Sequence, residues 1–202
     1  MNKSPFDLSH QNQNMDSKII ASLERISQAF RVMLWDQGKM LGLSPIQIQL
    51  LIFVLNHSGE KCKVSYLADE FNMTRATISD TIKTLQGKRL INKVPEAHDH
   101  RSYSIQLTIA GKDIAENTSR FAVKLQDAIS KIENGDKENL LLSLIEIIDQ
   151  LNKTGVISRQ RMCFTCTYYA KKGKYQHHYC NLLEQSLEVR DLRIDCPEHV
   201  QL

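Results

Sequence analysis

The sequence predicts a mainly α fold with one short β-hairpin, followed by a small cysteine-rich module. Three observations predict it. Apolar residues recur at helical spacing through most of residues 16–151. One segment, Tyr103–Leu107, alternates apolar and polar side chains as a half-buried strand does. Four of the five cysteines fall within the last 40 residues.

Each element has its own signal. The first 15 residues are polar, with Asn2, Gln11, Asn12, Gln13 and Asn14, and are expected to form a flexible tail. Ile19, Leu23, Ile26, Phe30 and Met33 then form the stripe of an amphipathic helix, which Gly42 ends. Ser44-Pro45 supplies an N-cap and a first-turn proline for a second helix. Its apolar residues, from Ile46 to Leu55, are dense enough for burial on most sides, and Ser58-Gly59 stops it. A short helix with Val64, Leu67, Ala68 and Phe71 inward follows. Thr74 can cap the next, whose seam is Ile78, Ile82 and Leu85. Leu90, Ile91 and Val94 precede a break at Pro95, and Tyr103, Ile105 and Leu107 alternate beyond it. The polar His98–Ser102 between them makes an exposed hairpin tip. One long helix is expected over 108–132, with Ile114, Phe121, Leu125, Ala128 and Ile132 on one face. Asn134-Gly135-Asp136 suggests a turn, and Leu140, Leu141, Leu144, Ile145, Ile148 and Leu151 a final helix.

The chain has 202 residues, 42% of them hydrophobic and 24% charged, as in ordinary globular proteins. No stretch approaches the roughly 20 apolar residues that span a bilayer, and no secretory signal is evident. A cytoplasmic protein with no membrane partner is therefore expected, where clustered thiols more often bind metal than form disulfides. The net charge of +3 is small, but its distribution is uneven. Between Asn72 and Ser104 there are six basic and three acidic residues; between Asn152 and Gln176 there are six basic and none acidic. Both stretches are candidate polyanion surfaces.

Three helices and then a β-hairpin is the order of a winged helix-turn-helix. The helix opening at Thr74 can lie in a DNA major groove while the hairpin tip reaches phosphates or the minor groove. At 100° per residue, burying Ile78, Ile82 and Leu85 leaves Ala76, Thr77, Asp80, Lys83 and Thr84 facing outward. Arg75 and Lys88 fall at the flanks, where backbone contact is expected.

On these residues the chain resembles the MarR family of bacterial transcription regulators. Thr74-Arg75-Ala76-Thr77-Ile78-Ser79, Asp99-His100-Arg101-Ser102 and Leu107-Thr108-Ile109-Ala110-Gly111 carry the resemblance; the last two match the family's D-x-R-S…L-T-x-x-G pattern. It covers roughly residues 16–151 and implies a homodimer on long dimerisation helices, the first and the last two. It also implies a pseudo-palindromic double-stranded DNA operator. Thr74, Arg75, Ala76, Thr77, Ser79, Asp80 and Lys83 would meet the duplex, and Arg101 would enter the minor groove, oriented by Asp99. Asp80 departs from many relatives, which carry a basic or neutral polar residue there. An acid near phosphates costs affinity unless it accepts from a cytosine amine. The resemblance also implies that such a dimer can hold an aromatic ligand between the dimer helices and the winged domain, but no residue here identifies a small-molecule effector.

Beyond residue 151 the family pattern ends. A basic linker (152–162) leads to a module over 163–202 in which Cys163, Cys166, Cys180, Cys196 and His199 are spaced C-x2-C-x13-C-x15-C-x2-H. A C-x2-C pair followed by two further soft donors is how a chain builds a closed tetrahedral zinc site. The four cysteines are the simplest ligand set; His199 in place of Cys180, or His178 as a donor, are the rivals. Four thiolates around Zn2+ leave a net charge of about −2, which the basic linker can balance. Phe164, Tyr168, Tyr169, Tyr175 and Tyr179 can cover a small core, and Leu182, Leu183, Leu187 and Leu192 are expected in a short helix and strand against the main body. No open coordination position or general base suggests an enzyme. The expected function is a DNA-binding regulator with a zinc site in its extension. The alternative is a metal- or redox-responsive thiol protein whose winged helix mediates protein contacts.

Overall fold

In the computed structural model, which describes residues 3–96, 102–173 and 177–202, local capping signals open most of the helices. Within the expected N-terminal tail, Asp7 caps a single turn, α1 (Leu8–Gln11), by accepting the Ser9 and His10 N–H groups. Asn14 does the same for α2 (Met15–Leu41), accepting Ser17 N–H at 2.8 Å. Gly42 ends α2 in the left-handed region at φ 61°, and the Leu43 N–H returns to the Gly38 carbonyl. Gln47 accepts the Ser44 N–H at 3.0 Å at the start of α3 (Pro45–Asn56). A 3-10 turn (Gly59–Cys62) precedes α4 (Val64–Glu70), and Asn72, at φ 49°, turns the chain into α5 (Arg75–Gly87). Strands β1 (Ile91–Pro95) and β2 (Tyr103–Leu107) pair antiparallel, Ile91 opposite Leu107 and Pro95 opposite Tyr103.

The single long helix expected over 108–132 is instead α6 (Ile109–Thr118), a 3-10 turn (Ser119–Ala122) and α7 (Val123–Ser130). Hydroxyls break it. Thr118 Oγ1 donates back to the Ile114 carbonyl and Ser119 Oγ to that of Glu116, both at 2.7 Å, which competes with the helical ladder. Ala128, expected inward, is exposed. The expected turn at Asn134–Asp136 is the first turn of α8 (Asn134–Lys153), for which Glu133 is the N-cap. Those small polar residues suit a helix start, where Asp136 also complements the helix dipole.

The chain divides into two compact units. One takes in residues up to Cys62 together with Thr81–Lys124; the other takes in Lys63–Asp80 and Leu125–Leu202. In the first, α3 packs against α2, α6 and β2, and Ile48, Leu50 and Leu51 are fully buried. Phe30 of α2 meets Phe121 edge-on, ring centroids 6.0 Å apart. The L-T-x-x-G segment has a packing explanation here. Thr108 Oγ1 accepts Gly111 N–H at 3.0 Å and donates to the Arg89 carbonyl at 2.8 Å, tying α6 to the lead-in of β1. Gly111 permits that approach, since a Cβ there would lie 1.8 Å from the Leu90 carbonyl oxygen.

The second unit has its own core, in which Ile145 of α8 packs with Met162, Leu187 and Leu192. Strands β3 (Tyr169–Lys172), β4 (His177–Cys180) and β5 (Gln185–Ser186) form an antiparallel sheet in that order. Leu187 and Leu192 pack as expected, but Leu182 and Leu183 lie in an exposed turn rather than a helix. No single helix among the described residues is long and apolar enough to cross a membrane.

Candidate nucleic-acid interface and cysteine-lined cavity

Helix α5 is amphipathic as its spacing predicts. Ile78, Ile82 and Leu85 are fully buried, while Thr74, Arg75, Ala76, Thr77, Asp80, Lys83 and Thr84 are exposed and Ser79 is half-buried. Thr74 caps the helix: its Oγ1 accepts the Thr77 N–H at 3.1 Å and lies 2.8 Å from Thr77 Oγ1. The exposed face therefore begins with a fixed N-terminus whose dipole favours phosphate. Apart from Arg75, the exposed side chains there are short until Lys83, which leaves the helix backbone accessible to a groove. Lys88, expected at the flank, instead donates to the Gly42 carbonyl at 2.8 Å and closes the end of α2. Beside the hairpin, Lys93 Nζ sits 4.5 Å from the centre of the Tyr103 ring, and Glu96 N–H donates to the Ser102 carbonyl at 3.1 Å. The expected wing residues Asp99, His100 and Arg101 lie outside the described residues.

A family model described as MarR family matches residues 41–102, which hold α3, α4, α5 and β1. The chain carries a MarR-type winged helix. Solved structures share the MarR fold at low identity. MepR of Staphylococcus aureus in its DNA-binding conformation is 22% identical with TM-score 0.59, over 66% of this chain and 98% of that one. The S. aureus MepR–DNA complex is 22% identical with TM-score 0.58, over 65% and 96%. The transcriptional regulator SlyA is 20% identical with TM-score 0.59, over 67% and 95%. No curated protein matches the chain. Nearly the whole of each MarR-fold structure is matched, yet roughly a third of this chain is left without a counterpart in them.

The four tail cysteines come together. Cys163 and Cys166 flank a 3-10 turn, Cys180 ends β4 opposite Tyr169, and Cys196 follows the bridge between Arg161 and Asp195. All four line one cavity of about 360 Å³, with Leu187 and Leu192 among its apolar walls. Arg193 serves two of the sulfurs: its backbone N–H donates to Cys163 Sγ at 3.3 Å and its guanidinium to Cys196 Sγ at 3.5 Å. Burial pushes the Cys163 thiol up, the Arg193 N–H pulls it down, and the other three cysteines push it up again. The sulfurs are not drawn onto one point: no three His, Cys, Asp or Glu side chains among the described residues are placed to hold a metal ion as they stand. The rival donors are engaged elsewhere and do not line the cavity. His199 Nε2 lies 3.0 Å from Thr165 Oγ1, and His178 Nδ1 lies 2.6 Å from the Tyr169 hydroxyl.

The described basic residues between Lys153 and Lys172 do not line the cysteine cavity as the sequence suggested, and Lys174 lies outside the described residues. Lys153 pairs with the buried Asp149 at 2.5 Å, Arg159 with Asp69 at 3.1 Å, and Arg161 with Glu70 and Asp195. Lys171 and Lys172 lie over the rings of Phe164 and Tyr179. Arg193 was missed because nothing in its spacing separates it from any other surface arginine.

Cys62 is unlike the other four. It is fully buried, donates to the His57 carbonyl at 3.2 Å, and burial pushes its thiol up to about 11. In chelator-treated protein at neutral pH a disulfide dye is expected to titrate Cys163, Cys180 and Cys196 rapidly, Cys166 more slowly and Cys62 only after unfolding. Five rapid thiols would contradict the buried placement.

Proposed function

We propose that this chain is a DNA-binding transcription regulator of MarR type that works in the cytoplasm as a homodimer, with a zinc site in its C-terminal module. The observation that carries the first part is the exposed, N-capped face of α5, followed in sequence by a hairpin in a MarR-type fold. Thr74, Arg75, Ala76, Thr77, Ser79, Asp80 and Lys83 meet a duplex operator on this reading, and Arg101 enters the neighbouring minor groove. The MepR–DNA complex, with the same fold, supports it. Exposed apolar side chains support the dimer: Ile19, Ile26 and Trp35 on α2, and Leu140, Ile147 and Leu151 on α8. Such faces on long helices are what an obligate interface covers.

Duplex binding should weaken steeply with salt. Lys83→Ala is expected to lower the slope of log affinity against log salt by about 1, and Arg101→Ala to weaken binding further. Mobility shifts over a salt series check both; a wild-type chain that shifts no duplex at low salt would sink the reading.

The four cysteines around one cavity carry the zinc proposal, because soft thiolates with no bound water make a closed structural site. Binding requires the sulfurs to draw together by rotation about their Cα–Cβ bonds. Arg193, already against two of them, offsets part of the resulting negative charge. Metal content per chain is expected to be one zinc, lost in Cys166→Ser.

A further inference from the structure

The tail is tied to the helix-turn-helix by a dense polar network. Arg161 is only 8% exposed and holds two carboxylates at once. Its Nε and Nη2 donate to the Asp195 carboxylate at 2.6 and 2.8 Å. Nη1 and Nη2 donate to Glu70 near the end of α4, and Nη1 also reaches the Tyr66 hydroxyl at 3.1 Å. Three residues earlier, Ser158 grips the turn itself. Its Oγ donates to the Asp69 carbonyl at 2.6 Å and lies 2.8 Å from Asn72 Oδ1, which also accepts the Ser158 N–H at 3.2 Å. Arg159 adds a pair to Asp69 and stacks 4.2 Å from the Tyr66 ring centre.

These contacts meet the chain where its conformation is least favoured locally. Asn72 sits at φ 49°, in the left-handed region, and is the pivot from α4 into α5. The first six residues of α5, Arg75–Asp80, belong to the same compact unit as the tail. At its other end the network runs into the cysteine cavity. Asp195 immediately precedes Cys196, whose N–H donates to the Arg161 carbonyl at 2.9 Å, and Cys163 lies two residues beyond Arg161.

We propose that the cysteine module acts as a brace for the helix-turn-helix, with Arg161 as the positioning residue that couples the state of the four thiols to DNA affinity. The proposal rests on the DNA-binding, zinc-holding reading above. With the cysteines gathered on a metal, Cys196 and Asp195 are fixed, Arg161 holds Glu70, and Ser158 keeps Asn72 in its left-handed turn. The start of α5 is then pre-organised for a duplex. When the thiols are released, Asp195 moves with Cys196, the grip on α4 loosens, and the ordering of the turn must be supplied by DNA binding itself.

The test compares full-length chain carrying zinc with the same chain stripped by a chelator, its thiols kept reduced. Duplex affinity at fixed ionic strength and backbone hydrogen exchange over residues 63–74 are both measured. Stripping is expected to weaken duplex binding at least tenfold and to speed exchange over that segment. Asp195→Asn, at the more hydrated end of the network, should retain zinc but lose most of the response, binding alike with and without metal. Verified zinc loss that changes neither affinity nor exchange would overturn the brace and leave the regulator reading standing. A chain that binds no duplex in either state overturns that reading, and the brace with it.

Discussion

Gly111→Ala is expected to destabilise the unit that holds it by more than about 3 kcal/mol, the largest effect of any glycine substitution in the winged-helix region. The added Cβ would lie 1.8 Å from the Leu90 carbonyl oxygen and 2.8 Å from its carbon, so the obstacle is backbone that cannot rotate away. Relief requires α6 to lift from the lead-in of β1. That movement breaks the bond from Thr108 N–H to the Leu90 carbonyl at 3.0 Å and the one from Thr108 Oγ1 to Arg89 at 2.8 Å. Gly87 is the control. It is helical, a Cβ there meets nothing within 4 Å, and Gly87→Ala should be neutral or stabilising by up to about 1 kcal/mol. Urea unfolding of both variants separates the two cases; a Gly111→Ala midpoint close to wild type would refute the close approach.

Arg161→Ala is expected to cost about 3–5 kcal/mol in the second unit, the range for removing one partner of a buried ion pair. Charge placement is the reason. One guanidinium lies between two carboxylates, and the side chains of Arg161 and Glu70 are only 9% and 17% exposed. Burial alone would push the guanidinium down; the hydrogen bonds to Asp195, Glu70 and Tyr66 more than reverse this, so it stays charged. Truncation leaves Glu70 with a negative charge and little water. Asp195, at 41%, is better hydrated and contributes less of the loss. Arg161→Lys should recover little, because a single ammonium cannot present paired donors to two planar carboxylates. Thermal unfolding followed by tyrosine fluorescence measures this; a loss under about 1 kcal/mol would mean the network is solvated in solution.

The winged-helix order was legible because its signals are local. Ser44-Pro45, Thr74 and Thr108 announce helix starts by chemistry that acts within three residues, and Gly42 announces an end in the same way. The seam of Ile78, Ile82 and Leu85 is local too. The break after Thr118 was not legible: Phe121 and Leu125 keep the phase of the stripe, and a hydroxyl that bonds backward looks like any other threonine. Asn134-Gly135-Asp136 misled for a related reason, since residues that favour turns also favour the first turn of a helix.

In the tail, the gathering of four cysteines was foreseeable from spacing, but the partners of its cations were not. Arg161 finds Glu70 across 91 residues and Asp195 across 34, and no periodicity encodes such a match. The stretch therefore looked like loose positive charge, whereas Arg159 and Arg161 are committed to specific acids. The partners of the two histidines likewise needed three dimensions. Only there do His178 and His199 turn to Tyr169 and Thr165 instead of the cavity.

The brace also imposes an order of events during synthesis. A ribosome releases Glu70 and the turn at Asn72 long before Ser158 and Arg161 have been made. Until the last quarter of the chain emerges, α4 carries an acidic residue awaiting its counter-charge. A transcript cut short before codon 158 would yield a product with the winged helix but without its support. Such fragments should be poor competitors for an operator.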